Sequence, residues 1–422
     1  MKLYTADRLL TQDEQGDITD GAAVLVRDGR IDWVGRHRDF PFADHASDLE
    51  VVDLGDATIL PGLIDAHVHL AFDGGPTPVE RMVRESDAQQ VALMLRSARE
   101  LLSVGVTTAR DLGARGYLDV AVRGAIADGT ARGPRMLTSG SPITVTGGHC
   151  WFMGGEADSE DDVRRLVRRH HREGVDGIKV MSTGGFMTAG SAPWFAQYSE
   201  RALAAAVEEA HRVGKKIAAH AHGVEGIDRA LTAGVDTLEH CSFVHPDGSH
   251  SVVPELADRI AASDSYVSPT MNFRIREFIE RSGGAFEPAL PELVRRGVKV
   301  IASTDSGIDN VPHFGFVGAL EVMNDFGMDI RAVLASATSV SADALGISHL
   351  TGRVRVGLEA DLLAVPGDVT TSLSRLRDPL LILARGEEFS PDPLPAIEPL
   401  GGDSAMLSAM PGHGHEHAEP TR

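Results

Sequence analysis

Asp65-Ala66-His67-Val68-His69 follows directly on an apolar run, Ala57-Thr58-Ile59-Leu60-Pro61-Gly62-Leu63-Ile64, that reads as a buried strand. Side chains alternate faces along a strand, so two His separated by one residue point the same way. Two imidazoles projecting together from a strand end can chelate one metal ion, and neutral imidazole suits zinc and related ions. His-x-His alone carries little; the polar residues on the strands that follow give it meaning.

Working outward, short apolar strands alternate with amphipathic helical stretches. Strands are expected near 59–64, 106–111, 134–139, 176–181, 216–220, 235–239, 265–269 and 299–304. Helical patterns lie between them, for example Asp158 to Glu173, Glu200 to Val213 and Pro291 to Arg296. Eight strands alternating with helices predict an α/β fold, a parallel (β/α)8 TIM barrel over residues 59–347. Residues 1–58 are strand-like, with turns at Asp13-Glu14-Gln15-Gly16-Asp17 and Arg27-Asp28-Gly29-Arg30, and strand patterns return over 348–392. The simplest account is one small β-sandwich domain built from both chain ends. Residues 393–422 are Pro- and Gly-rich and are expected to be a disordered tail, whose His413, His415 and His417 offer at most a weak metal site.

Composition narrows the function. The 422 residues suit a barrel of roughly 250–300 residues plus a smaller unit, and a hydrophobic fraction of 42% is enough to bury a core. The formal net charge of -21 argues against non-specific nucleic-acid binding. No apolar run approaches the ~20 residues that span a bilayer, and Met1-Lys2-Leu3-Tyr4-Thr5-Ala6-Asp7 lacks an apolar leader, so a cytoplasmic location and no membrane partner are expected. Cys150 and Cys241 are the only cysteines, too few for a disulfide framework or a four-Cys zinc site. A homo-oligomer stays open.

Barrel enzymes place their chemistry at the C-terminal ends of the strands. Strand 1 ends in His67 and His69; strand 4 carries Lys179; strand 5 ends in His220, strand 6 in His240 and strand 8 in Asp305. Each has a plainer reading. Lys179 sits among apolar residues and needs either an ion-pair partner or a neutral amine. A neutral amine can add carbon dioxide, giving a carbamate whose two oxygens bridge two metals. His222 competes with His220, Glu239 competes with His240, and Asp305 has the position of a helix cap. Six such groups at one mouth point to a shared site.

With these residues in place, the chain resembles the amidohydrolase superfamily of metal-dependent hydrolases over nearly its whole length. Pro61-Gly62-Leu63-Ile64-Asp65-Ala66-His67-Val68-His69 is similar to that family's opening motif, and Gly357-Leu358-Glu359-Ala360-Asp361-Leu362 to its closing one. The resemblance implies two divalent metal ions, zinc being the expected one. His67, His69 and Asp305 would hold the more buried ion and His220 and His240 the more exposed one, with carboxylated Lys179 as the bridge. Thr146-Gly147-Gly148-His149, Lys179-Val180-Met181-Ser182-Thr183-Gly184-Gly185 and Ala219-His220-Ala221-His222-Gly223 resemble the imidazolonepropionase-like group that includes Xaa-Pro dipeptidases. That likeness implies His149 and Tyr198 as a clamp for a substrate carboxylate, with Trp151, Phe152 and Trp194 as apolar walls or packing residues.

The implied chemistry is hydrolysis of an amide, peptide or cyclic amide bond. Two cations lower the pKa of a shared water; Asp305 takes the proton and passes it to the leaving amine; Gly184 and Gly185 let a substrate approach the loop. A small-molecule amide, dipeptide or N-acyl amino acid is the expected substrate. The alternatives are a pathway-specific amide hydrolase, a deaminase or a lactonase on the same fold, and, further off, a non-catalytic scaffold.

Overall fold

The computed structural model describes residues 1–14, 16–41, 48–281 and 287–397. Most of the expected tail, with His413, His415 and His417, lies outside the described residues.

The apolar runs form parallel strands in two arcs. The first arc orders β1 (Leu63–Val68), β2 (Val106–Asp111) and β3 (Arg135–Thr138) side by side. The second orders β4 (Gly177–Met181), β5 (Lys216–Gly223), β6 (Thr237–Val244) and β7 (Tyr266–Ser268). Backbone hydrogen bonds join the arcs: Ile143 N donates to Lys179 O, and Met181 N to Ile143 O, each at 2.8 Å.

The expected eighth strand is different. Residues 299–304 form no continuous ladder, yet they lie between β7 and β1: Ile301 N donates to Val267 O at 2.9 Å and Ala66 N to Ala302 O at 3.0 Å. Two features interrupt the repeat. Thr304 N donates to the Asp65 carboxylate (3.2 Å) instead of a strand carbonyl, and Asp305 is left-handed at φ 59°.

Helices cover the outside because their ends are signalled locally. Helix Glu160–Glu173 starts at a Ser159/Asp162 capping box and stops at left-handed Gly174; it buries Val163, Leu166, Val167 and His170. Helix Glu200–Arg212 starts on Ser199, whose hydroxyl accepts from Ala202 N. Both agree with the expected ranges to within two residues. No helix among the described residues is long and apolar enough to cross a membrane.

Both chain ends build the remaining sheets. Lys2–Ala6 lies between Ala22–Arg27 and Glu50–Asp53, with Arg30–Arg36 on the outside. In the other sheet, Ala57–Pro61 runs antiparallel to Leu362–Pro366 and parallel to Arg8–Leu9, and Leu381–Ala384 follows on the far side. Tyr4, Val24, Ile31, Ile59, Leu362 and Leu383 share one buried cluster. The run expected as one barrel strand therefore splits at Gly62. A Cβ there would sit 2.1 Å from the Thr107 hydroxyl, so the close crossing requires glycine.

Candidate metal centre

β1 delivers His67 and His69 to one side, as their spacing requires. Their Nε2 atoms are 3.2 Å apart, and Asp305 Oδ1 lies 3.2 Å from His67 Nε2 and 3.1 Å from His69 Nε2. Asp305 reaches them because its own N–H donates to His67 O at 2.9 Å. These three residues form one group able to hold a cation.

A second group is His220, His222 and His240. His220 Nδ1 is 2.8 Å from His240 Nε2, with the rings at 72°. The opposite nitrogens are held by oxygens: His220 Nε2 by Gly184 O at 3.0 Å and His240 Nδ1 by Thr270 Oγ1 at 2.9 Å. Such outer bonds fix the tautomer and aim the remaining nitrogen. His222 lies against His240 with ring centroids 4.3 Å apart and planes only 19° apart. An imidazole lone pair lies in its ring plane, and Zn–N bonds are about 2.0–2.1 Å. Near-parallel stacked rings aim their lone pairs side by side, a geometry that favours His220 over His222 as the partner of His240.

Lys179 on β4 is 1% exposed, and its Nζ has no hydrogen-bond partner among the described residues. His69 Nδ1 and His149 Nδ1 are likewise buried without one among the described residues. Burial lowers the Lys179 amine to about 8, although Glu239 and Asp305 pull it upward. Burial raises the Asp305 carboxyl, but His67, His69 and Lys179 outweigh it and hold the group well below the usual carboxylate range. A carboxylate and imidazoles converging beside a buried lysine are donor types that suit divalent cations.

Supporting groups surround the ligands. Glu239 Oε2 is 2.8 Å from His67 Nδ1, while its Oε1 accepts from Arg110 at 2.8 Å. Burial pushes the Glu239 carboxyl up, yet Arg110 and His67 override it and keep it strongly acidic. Asp65 accepts from Thr304 Oγ1 at 2.6 Å, next to Asp305. Both Glu239 and His240 face the site although they are adjacent. The pleat would separate them, but His240 is left-handed at φ 67°, which ends the alternation. Arg110, buried on β2, bonds Ala66 O (2.7 Å) and Thr237 Oγ1 (3.1 Å) as well. The sequence signal for it was a lone cation near the end of the Val106–Asp111 strand, and for Asp65 its parity with His67 and His69.

All six expected ligands line a single cavity of about 440 Å³. His149 lines it too, its ring 4.6 Å from that of His220. Tyr198 does not. Its hydroxyl donates to Ala157 O at 2.6 Å and its ring packs in the core, so the expected clamp loses this member. Trp151, Phe152 and Trp194 do not line the cavity either; Phe72, Phe186 and Phe278 supply its aromatic walls. Gly185 stands so near His149 that a Cβ would be 2.5 Å from that ring.

Residues 58–388 match the amidohydrolase family. The chain belongs to that family. It is 27% identical to an Aspergillus niger ochratoxinase over 398 residues, 86% of this chain and 81% of that protein. An imidazolonepropionase of Mesorhizobium japonicum is 26% identical over 372 residues, covering 82% of this chain and 86% of the relative. Among solved structures, a Xaa-Pro dipeptidase with bound methionine superposes with a TM-score of 0.81 at 26% identity, covering 92% of this chain and 99% of the other. Members of the amidohydrolase family are hydrolases of amide and related carbon–nitrogen bonds, and the His/Asp groups suit the divalent metals such enzymes use.

Proposed function

We propose that this amidohydrolase is binuclear and cleaves the amide bond of a small molecule bearing a bulky apolar group. The observation that carries the reading is the unpartnered, buried Lys179 Nζ in one cavity with two convergent His/Asp groups. His67, His69 and Asp305 would hold one cation and His220 and His240 the other, and Lys179, once carboxylated by carbon dioxide, would supply oxygen ligands between the two groups. When bound, two such ions supply a lowered water pKa and Lewis acidity at the scissile carbonyl. Asp305 accepts the proton of the attacking water and returns it to the leaving amine. Glu239 and Arg110 keep His67 in one orientation throughout. Residues 299–306 complete the parallel strands as the eighth member of a (β/α)8 barrel.

The substrate reading follows from the walls. Phe72, Phe186, Met271, Ile275, Phe278 and Leu293 line the cavity, whose volume falls within the range of small-molecule sites. His149 is the polar contact above the metals. An N-acyl amino acid with an aromatic acyl group combines both demands. The test is hydrolysis of a panel of N-aroyl and N-acetyl amino acids by protein loaded with zinc, with metal counted per chain. Near two zinc ions per chain and a preference for aroyl substrates support the proposal. Full activity after metal removal would sink it.

A further inference from the structure

His222 is an imidazole of the cavity that the ligand set proposed above leaves out. Its ring packs against two others: His240 stacks on it at 4.3 Å, and the Phe186 ring meets it at 5.0 Å and 71°. Its backbone N–H donates to Thr183 Oγ1 at 3.1 Å, which pins the strand end. Its Nδ1 lies 3.0 Å from Ser242 Oγ. With Nδ1 occupied and the ring lining the cavity, Nε2 is the atom left to meet a ligand. The ring centroid is 4.6 Å from that of His220, so the ring borders the position that His220 and His240 define.

The chain spends conformational energy to set Ser242. His240, Cys241 and Phe243 all have positive φ, at 67°, 50° and 51°. Left-handed non-glycine residues cost on the order of 1–3 kcal/mol each and persist where the surroundings enforce them, commonly at functional sites. Ser242 sits inside this strained run and lines the same cavity. When its hydroxyl donates to His222 Nδ1, the neutral imidazole carries its proton on Nε2 and becomes a donor toward the cavity.

We propose that His222 is a catalytic residue whose Nε2–H, set by Ser242, donates a hydrogen bond to the substrate carbonyl oxygen as negative charge gathers there. The inference rests on the binuclear hydrolase reading above. His222 neither forms nor breaks a covalent bond; it supplies a fixed donor where charge develops, the arrangement that lowers acyl-transfer barriers. Glutamine places an amide N–H near the position of Nε2, so His222→Gln should keep the function that His222→Ala loses.

The test uses cobalt-loaded full-length protein and acetohydroxamate, whose oxygens occupy the place of the substrate oxygen, with binding read from the visible cobalt spectrum. His222→Ala should keep two cobalt ions per chain and bind acetohydroxamate roughly tenfold more weakly or worse, the loss of one hydrogen bond to a charged ligand. His222→Gln should restore most of that binding, and Ser242→Ala should fall between. Unchanged acetohydroxamate binding in His222→Ala would make the residue a passive wall and overturn the proposal. Loss of one cobalt from both His222 variants would make it a ligand, with the same consequence. A wild-type protein that holds no cation pair would instead bring down the binuclear reading on which this inference stands.

Discussion

Glu239, fully buried, meets His67, Oε2 to Nδ1 at 2.8 Å, while its other oxygen is held by Arg110 at 2.8 Å. His67 is thus oriented by a charge pair from two other strands. Glu239→Gln keeps the size and removes the charge. Metal affinity is expected to fall about 10- to 100-fold, as for other outer partners of ligating His. Competition with a chelator of known affinity measures it; an unchanged affinity would show that the charge on Glu239 is not needed to position His67.

Lys179 offers a prediction of opposite signs. Its buried, unpartnered amine burdens the protein without metal. Lys179→Met should raise the stability of metal-free protein by about 1–3 kcal/mol, the cost of an unsatisfied buried polar group. The same change should abolish activity in the presence of metal and lower the metal content. Thermal melts with and without zinc report both signs. If Lys179→Met destabilises both forms alike, the lysine is a packing element.

Asp305→Asn keeps one oxygen ligand and removes the base. A drop in kcat of about 10²–10⁴-fold, with a smaller change in KM, is expected for lost general base catalysis. Steady-state kinetics on the best substrate of the panel decides this. Near-normal kcat would assign the proton transfer elsewhere.

Tyr198→Phe should leave kcat/KM unchanged for acidic and neutral substrates alike. Its hydroxyl serves Ala157 O, and the variant should lose about 1 kcal/mol of stability, the worth of an ordinary hydrogen bond. A selective loss on acidic substrates would return Tyr198 to the substrate.

Much of this site could be read from the chain alone because the strand pleat is a simple rule. His67 and His69 two apart, and one polar residue at each strand end, need only alternation and a common mouth. What escaped depends on departures from that rule or on partners distant in sequence. The left-handed backbone at His240 lets two consecutive residues face inward, so Glu239 and His240 were not rivals. Arg110 is meaningful only once Thr237 and Glu239 lie beside it. Tyr198 follows a barrel strand as a substrate residue would, and only the direction of its ring excludes it. Gly62 divides an unbroken apolar run between two sheets because of Thr107, a contact across 45 positions that no local pattern announces.

The antiparallel pairing of Ala57–Pro61 with Leu362–Pro366 sets a timetable for synthesis. The earlier strand emerges about 300 residues ahead of its partner, a wait of roughly 15–60 s at 5–20 residues per second. Throughout that interval an apolar edge directly preceding the His67 strand has no neighbour on that side. A chain cut short before Leu362 would never acquire one and would expose a ready template for aggregation.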